Sequence, residues 1–407
     1  MSRIVFINRY FYPDHSATSQ LLGDLAFEFV ASGHNVYVIT SQQRYDQPNA
    51  LLPAQEIIHG VTVHRVWTSK FGRANLLFRA VDYLAFYLSA GYKLLGLASR
   101  GDIIIAKTDP PLISVVAAVV TKIRGAKLIC WIQDLFPEVA GALGIRGLGV
   151  FENLLRFLRN WSLRAAYKNV VIGDIMATKL TENNIPPAAI KVIHNWADGR
   201  DIQPIDREKN HLRRQWNLSK AMFVVGYSGN IGRAHEFDTI LDTAEKLKNA
   251  VNIVFLFIGG GAQRIWIETE ARERSLENIR FKSYQPREQL AFSLSVPDVH
   301  LISLQPTMEG LIVPSKFYGV AAAGRPTIFI GNKNGEIPRI LQEGQCGFSV
   351  ESGQASEVSR IIHYLADDLE ARGRMGRRAR TVFDQRFEVR HAKNAWKAVI
   401  ESTANTL

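Results

Sequence analysis

Five loop segments of this 407-residue chain carry residue types suited to an anionic, hydroxyl-rich ligand. In SGNIGRAHEF (Ser228 to Phe237), Gly229 and Gly232 let the backbone approach a ligand, Asn230 lies between them, and Arg233 adds a cation suited to a diphosphate. The alternative there is a plain glycine turn between strand and helix. IGGGAQR (Ile258 to Arg264) sets Gly259, Gly260 and Gly261 behind an apolar run, which can wrap a base or phosphate or simply turn tightly. In PTMEGLIVPSKFYGVAAAGRP (Pro306 to Pro326), Glu309 and Gly310 precede a helix expected near Pro314 and Ser315, with Lys316 in its first turn. A helix N-terminus offers free amides and about half a positive charge, so Glu309 would receive sugar hydroxyls there and Lys316 would pair with phosphate. The bland reading is a solvated acid and a surface lysine. WIQDLFPEVAG (Trp131 to Gly141) places Asp134 and Glu138 behind a buried strand, Asp134 being the better acid unless it merely caps the next turn. FYPDHSATSQ (Phe11 to Gln20) brings His15, Ala17 and Thr18 after the first strand, and a histidine in such a loop is more often a surface residue than a catalyst.

The elements that must position these loops follow from hydrophobic patterning. RIVFIN (Arg3 to Asn8) reads as a buried parallel strand, Leu21, Leu22, Leu25 and Phe29 recur at helical spacing, and Gly33 and NVYVIT (Asn35 to Thr40) complete a crossover unit. DIIIAK (Asp102 to Lys107), KLICWIQ (Lys127 to Gln133), NVVIGD (Asn169 to Asp174) and KVIHN (Lys191 to Asn195) continue it. The polar stretch Ala197 to Trp216 reads as a linker, after which MFVVGYS, NIVFLFIGGG, NIRFKSY, DVHLISL and PTIFIG form a second series. Alternation of this kind implies two doubly wound Rossmann-like domains, whose ligands bind beyond the carboxyl ends of the strands. The expected division is 1–197, 198–385 and a C-terminal helix, 386–407, passing back toward the first domain.

Composition narrows the function. Hydrophobic residues make 47% and charged residues 21%, as in ordinary globular chains, and no apolar run is long enough to span a bilayer. Two cysteines, Cys130 and Cys346, supply neither a disulfide framework nor a zinc site, and the start lacks a signal peptide, so a cytoplasmic location is expected. The net charge is +11, of which residues 1–200, with 21 basic and 14 acidic residues, hold +7. No lysine tract, zinc pattern or aromatic-interleaved basic motif points to nucleic acid. The first strand lacks G-x-G-x-x-G, which argues against a nicotinamide dehydrogenase. Ser69 to Arg100, with five basic residues and one acid, and Phe151 to Lys168 read equally as interfacial helices drawn to anionic lipid or as core-facing helices with a basic solvent face.

These segments, with GHNVYVIT and HNWAD (His194 to Asp198), make the chain resemble glycosyltransferases of family 4, above all those of capsule, O-antigen or exopolysaccharide assembly. The resemblance covers nearly the whole chain and implies the GT-B fold, an α/β architecture of two facing Rossmann-like domains with a cleft between them. It implies a nucleotide sugar, most often a UDP-sugar, on the second domain and a saccharide acceptor, free or carried on polyprenyl diphosphate, on the first, at an enzyme cytoplasmic or peripheral on the inner face of the plasma membrane. By that resemblance Gly229, Asn230, Gly232, Arg233, Gly259, Gly260, Glu309, Gly310, Leu311, Ile312, Ser315 and Lys316 bind the donor, with Gly310, Leu311 and Ile312 offering amides. His15, Ala17, Thr18 and Asp134 face the acceptor.

The chain departs from the family pattern at four points. Asn230 stands where an arginine is usual, His235 where a lysine is, and Gln133 where a cleft histidine is. The second glutamate of the paired motif is missing: counting from Glu309 gives Phe317 and counting back from Gly324 gives Gly319, leaving the ribose to Ser315 and Lys316. The expected reaction is a retaining, metal-independent front-face transfer of a hexose or N-acetylated hexosamine, with no cofactor beyond the nucleotide-sugar substrate. Glu309, Arg233, Asp134 and Lys316 are its catalytic set, since no carboxylate pair of the retaining-hydrolase type is evident. A nucleotide-sugar 2-epimerase, or a partner that binds without transfer, remains as the alternative.

Overall fold

The structure, a computed structural model, describes residues 3–14, 16–44, 51–71, 76–145 and 149–405. It divides into two compact units, Met1–His194 with Lys393–Leu407, and Asn195–Ala392.

The first unit is built on eight strands: β1 (Arg3–Ile7), β2 (Asn35–Ser41), β3 (Gln55–Ile58), β4 (Val61–Val66), β5 (Ile103–Lys107), β6 (Lys127–Ile132), β7 (Lys168–Val171) and β8 (Ile190–Val192). Their order is β3-β4-β2-β1-β5-β6-β7-β8, all parallel apart from β3, which runs antiparallel to β4. The apolar runs behave as their patterning demands, with all five residues of β5 buried. The β3–β4 hairpin is not foreseen by that patterning. It turns on His59 and Gly60, both at positive φ (47° and 82°), and β3 alternates between exposed and half-buried residues at the sheet edge, so it lacks the apolar run that marks the inner strands.

The second unit holds β9 (Phe223–Ser228), β10 (Ile253–Ile258), β11 (Ile279–Lys282), β12 (Val299–Ser303), β13 (Thr327–Ile330) and β14 (Gly347–Val350), ordered β11-β10-β9-β12-β13-β14. The strand order reverses between β9 and β12, and between β1 and β5 in the first unit, and such switch points open crevices for ligands. β9 and β10 pair in register from Phe223 opposite Ile253 to Ser228 opposite Ile258, so the two loops that follow begin side by side.

One expectation needs correction. The stretch Ala197 to Trp216 is not a free linker but part of the second unit: Ile202, Leu212 and Trp216 are buried, and buried Arg213 reaches Asp298 at 3.3 Å. Its charges conceal apolar anchors ten and four residues apart. The C-terminal segment from Lys393 is grouped with the first unit, where Lys393 and Lys397 pair with Glu28 (2.9 and 2.7 Å) and Trp396 packs edge-on against Trp131. No helix among the described residues is long and apolar enough to cross a membrane.

Candidate functional site

In the second unit the loops after β9, β10 and β12 converge at the switch point. Gly229 leaves β9 at φ 112° and Gly259 leaves β10 at φ 136°, where a Cβ on Gly259 would lie 2.2 Å from the Gly229 carbonyl. The loops are laced together by Ile231 N–H to Gly260 O (2.8 Å) and Gln263 N–H to Ile231 O (3.0 Å). A Cβ on Gly261 would lie 2.5 Å from the Ile231 carbonyl, so loop packing already accounts for Gly259 and Gly261. Gly260 has no such constraint, and its carbonyl also accepts from the Tyr284 hydroxyl at 3.1 Å.

Lys316 begins the helix Lys316–Ala322, as expected, with Ser315 exposed at its cap. That helix has seven residues, so the lysine, rather than a long dipole, is the main source of positive charge there. Its side chain lies against Gly229, where a Cβ would come 3.3 Å from Lys316 Cε, and its Nζ is 5.1 Å from the Tyr227 ring centre. Lys316 Nζ donates to His235 Nε2 at 2.8 Å, while His235 Nδ1 lies 2.5 Å from the Ser303 carbonyl. A carbonyl only accepts, so Nδ1 carries the proton and Nε2 presents its lone pair to the ammonium. Burial, with Lys316 beside it, pushes the His235 pKa down to about 3, and loss of hydration draws Lys316 down to about 7. The histidine standing in place of the family's lysine is thus a neutral bracket for a lysine 81 positions later.

Arg233 is exposed, and its guanidinium makes no hydrogen bond or ion pair among the described residues; its carbonyl accepts from Gln305 Nε2 at 2.9 Å. Asn230 is exposed beside it, and a Cβ on Gly232 would lie 2.9 Å from Asn230 Nδ2.

Glu309 serves a different helix from the one expected. Its Oε1 accepts from the Glu336 N–H at 3.0 Å, at the start of the helix Glu336–Gly344, and its Oε2 lies where a Cβ on Gly335 would be only 2.3 Å away. The amides of Leu311 and Ile312 both turn to the Met308 carbonyl (2.9 and 3.3 Å). This departs from the expectation that they face a ligand; Gly310 beside them stands at φ 73°. Phe317 is wholly buried against Tyr318 and Phe387, so it takes no part in binding, and a Cβ on Gly319 would meet Leu294 Cδ1 at 3.2 Å.

In the first unit Asp134 follows β6 and lines a recess with Lys107, Thr108, Leu112, Trp131 and Arg159. Loss of hydration there and then Asp109 push its carboxyl up to about 6, against the pull of Lys107. No hydrogen bond reaches that carboxyl among the described residues, which removes the capping alternative; Glu138 instead grips Arg159 at 3.0 and 2.8 Å. Lys107, unremarked in the sequence, is fully buried at the end of β5, donates to the Thr18 carbonyl at 2.8 Å and sits 3.6 Å from the Trp131 ring centre; burial draws its pKa well down. It ties the start of the helix Ala17–Ala31, with exposed Ala17 and half-buried Thr18, to the Asp134 strand end. His15 lies outside the described residues.

Two parallel-sheet Rossmann-like units, each with a strand-order switch point, have the architecture of the GT-B fold. Residues 18–196 match the Glycosyl transferase 4-like domain and residues 208–382 match Glycosyl transferases group 1. The chain belongs to the family 4 glycosyltransferases, being 30% identical over 311 residues to the Pseudomonas aeruginosa protein described as "Probable glycosyltransferase WbjE", across 75% of this chain and 77% of that one. The Escherichia coli K12 protein WcaI, named for colanic acid biosynthesis, is 22% identical over 81% of this chain and 83% of its own. The fold also matches sucrose-phosphate synthase of Thermosynechococcus elongatus (TM-score 0.81, 15% identity, 99% of both chains) and Anabaena HepE solved with UDP (TM-score 0.74, 15% identity, 98% and 100%).

Proposed function

We propose that the second unit binds a uridine diphosphate sugar and that the enzyme transfers its hexose or N-acetylated hexosamine, with retention of configuration, to a saccharide acceptor in polysaccharide assembly. The acceptor is a growing chain or a saccharide carried on polyprenyl diphosphate. The observation that carries this reading is Lys316, held by His235 against Gly229 at the β9/β12 switch point, with the exposed cation Arg233 in the same loop. Two cations beside close-approaching glycine backbone suit a diphosphate. HepE was solved with UDP and with UDP-glucose, and WcaI is named for a polysaccharide, which supports both halves of the reading.

In the proposed reaction the acceptor hydroxyl attacks the anomeric carbon from the side the diphosphate leaves. The carbon–oxygen bond to the diphosphate breaks, the new glycosidic bond forms, and the hydroxyl proton passes to the departing phosphate oxygen. Arg233 and Lys316 stabilise the charge that develops on the diphosphate, a kind of contribution worth about 3–4 kcal/mol per donor. Glu309, anchored through Oε1 at the start of the helix Glu336–Gly344, accepts a hydrogen bond from a sugar hydroxyl. Asp134 orients the acceptor hydroxyl on the first unit. These two cations take the role a metal ion would play, so chelation should leave the rate unchanged.

Proton NMR of products formed from UDP-hexoses and UDP-N-acetylhexosamines, with and without a lipid-linked saccharide extract, tests the proposal. An acceptor-dependent product with the donor's anomeric configuration is expected. Sugar isomerisation without acceptor would make the protein an epimerase, and donor binding without either product would make it a non-catalytic partner.

A further inference from the structure

Lys107 is wholly buried at the end of β5, and the proposed reaction gives it no task. Taking an ammonium out of water is costly, and a side chain needed only for packing would be apolar there. The backbone sets its place. β5 and β6 pair with Lys107 opposite Trp131, and Asp134 follows three residues after Trp131, so the ammonium and the carboxyl line one recess at neighbouring strand ends. The β1/β5 switch point, where open sheets of this kind receive ligands, lies at the same end of β5.

Three kinds of neighbour hold the ammonium. Nζ donates to the Thr18 carbonyl at 2.8 Å, in the first turn of the helix Ala17–Ala31, and stands 3.6 Å from the Trp131 ring centre. Asp24 on that helix, Asp109 after β5 and Asp134 after β6 each favour its charged form against the loss of hydration. The groups around it are themselves fixed. Trp131 packs edge-on against wholly buried Trp396 at 4.9 Å. Thr108 receives the Gln133 N–H on its hydroxyl at 2.7 Å, while its own N–H meets the Trp131 carbonyl at 3.2 Å. The first turn of the helix and the segment that carries Asp134 therefore close on one side chain. Arg159, in the same recess, is engaged by Glu138 at 3.0 and 2.8 Å.

We propose that Lys107 is a positioning residue for the acceptor half of the reaction: it fastens the first turn of the helix Ala17–Ala31 to the end of β6 and sets a positive charge beside Asp134, keeping that carboxylate a hydrogen-bond acceptor for the attacking hydroxyl. An ionised carboxylate only accepts, whereas a protonated one gives up part of that capacity to its own O–H. Loss of hydration and Asp109 both press Asp134 toward its protonated form, and Lys107 is the charge that opposes them. The second task is geometric, since Thr18, whose carbonyl Lys107 holds, lies in the turn expected to face the acceptor. The proposal rests on the reading of Asp134 as the group that orients the acceptor hydroxyl, and it is separate from the donor site, since none of these residues belongs to the second unit.

The test uses Lys107→Met and Lys107→Gln, the second keeping an N–H for the Thr18 carbonyl without the charge. The full chain is isotope-labelled at its aspartate carboxyls for NMR, and the Asp134 resonance is identified by its loss in Asp134→Asn. That resonance is expected to titrate at about pH 6 in the unaltered protein and about one pH unit higher in both Lys107 variants. With a UDP-sugar and the lipid-linked saccharide extract, the acid limb of turnover is expected to move by the same amount. The extract concentration giving half-maximal rate is expected to rise at least ~10-fold in Lys107→Met and to recover to within ~3-fold of the unaltered protein in Lys107→Gln. UDP affinity by calorimetry is expected to be unchanged in both, which separates this proposal from the donor site. A merely structural lysine would lower the melting temperature and leave the Asp134 resonance and the limb where they are, and that result overturns the proposal. An acid limb that persists in Asp134→Asn overturns the reading of Asp134 and the proposal with it, whereas a limb lost in Asp134→Asn but unmoved in both Lys107 variants overturns the proposal alone.

Discussion

Lys316 offers the sharpest quantitative test, because its charge depends on the bracket that holds it. In the free protein its pKa is drawn down to about 7 by loss of hydration, while His235, at about 3, stays neutral and cannot repel it by titrating. A bound diphosphate favours the cation and raises the lysine pKa, so the donor-bound form is protonated and the free form above pH 7 is not. Affinity is therefore full below about 7 and falls as pH rises. Between pH 7 and 9 the protonated fraction of free Lys316 drops from about one half to about one hundredth, a loss of ~50-fold or about 2.3 kcal/mol. The diphosphate itself, with a second pKa near 6, contributes little over that range. Calorimetry of UDP binding at pH 8 in buffers of different ionisation enthalpy should show uptake of ~0.9 proton, and Lys316→Met should show none together with a flat pH profile. Equal affinity at pH 7 and 9 in the unaltered protein, or proton uptake that survives Lys316→Met, would refute the reasoning.

Other consequences are as direct. Arg233→Ala and Glu309→Ala should each lower turnover by at least ~100-fold in a UDP-release assay. Glu309→Ala should also lower the melting temperature by about 2–4 °C, because the helix Glu336–Gly344 loses the carboxylate that receives its first amide, whereas Arg233→Ala should leave it unchanged. His235→Ala should weaken UDP binding ~10-fold by leaving Lys316 without its acceptor, with partial recovery in His235→Asn. Gly259→Ala should destabilise the second unit by about 2–4 kcal/mol in urea unfolding, since its Cβ would lie 2.2 Å from the Gly229 carbonyl. The acid limb of the turnover profile should have its midpoint near pH 6, where Asp134 gains its proton, and Asp134→Asn should abolish that limb; a limb that persists would assign it elsewhere.

What the sequence discloses and what it hides divide along physical lines. Buried parallel strands such as β5 and β10 are continuous apolar runs and can be read without a structure, as can the type of residue in each strand-end loop. Strands β3 and β14 are short and half-exposed, so their local composition resembles loop. The segment Ala197 to Trp216 reads as linker because anchors such as Leu212 and Trp216 are few among its charges. In the site, Arg233, Glu309 and Lys316 announce themselves by charge beside glycine. His235 and Lys107 do not, because the partners that define them, Ser303 and Lys316 for one and Thr18 and Trp131 for the other, are brought close only by folding. Glu309 shows the opposite case: its importance is legible, but the amide it meets belongs to a helix 27 residues further on.

The central claim is that the second unit is the donor site of a glycosyltransferase, and calorimetry with a panel of uridine, guanosine and adenosine diphosphates and their sugar forms tests it most directly. Binding selective for the uridine series, indifferent to chelation of divalent ions and lost in Arg233→Ala is the predicted result. Silence across the panel, or binding that Arg233→Ala and Lys316→Met leave intact, would contradict it.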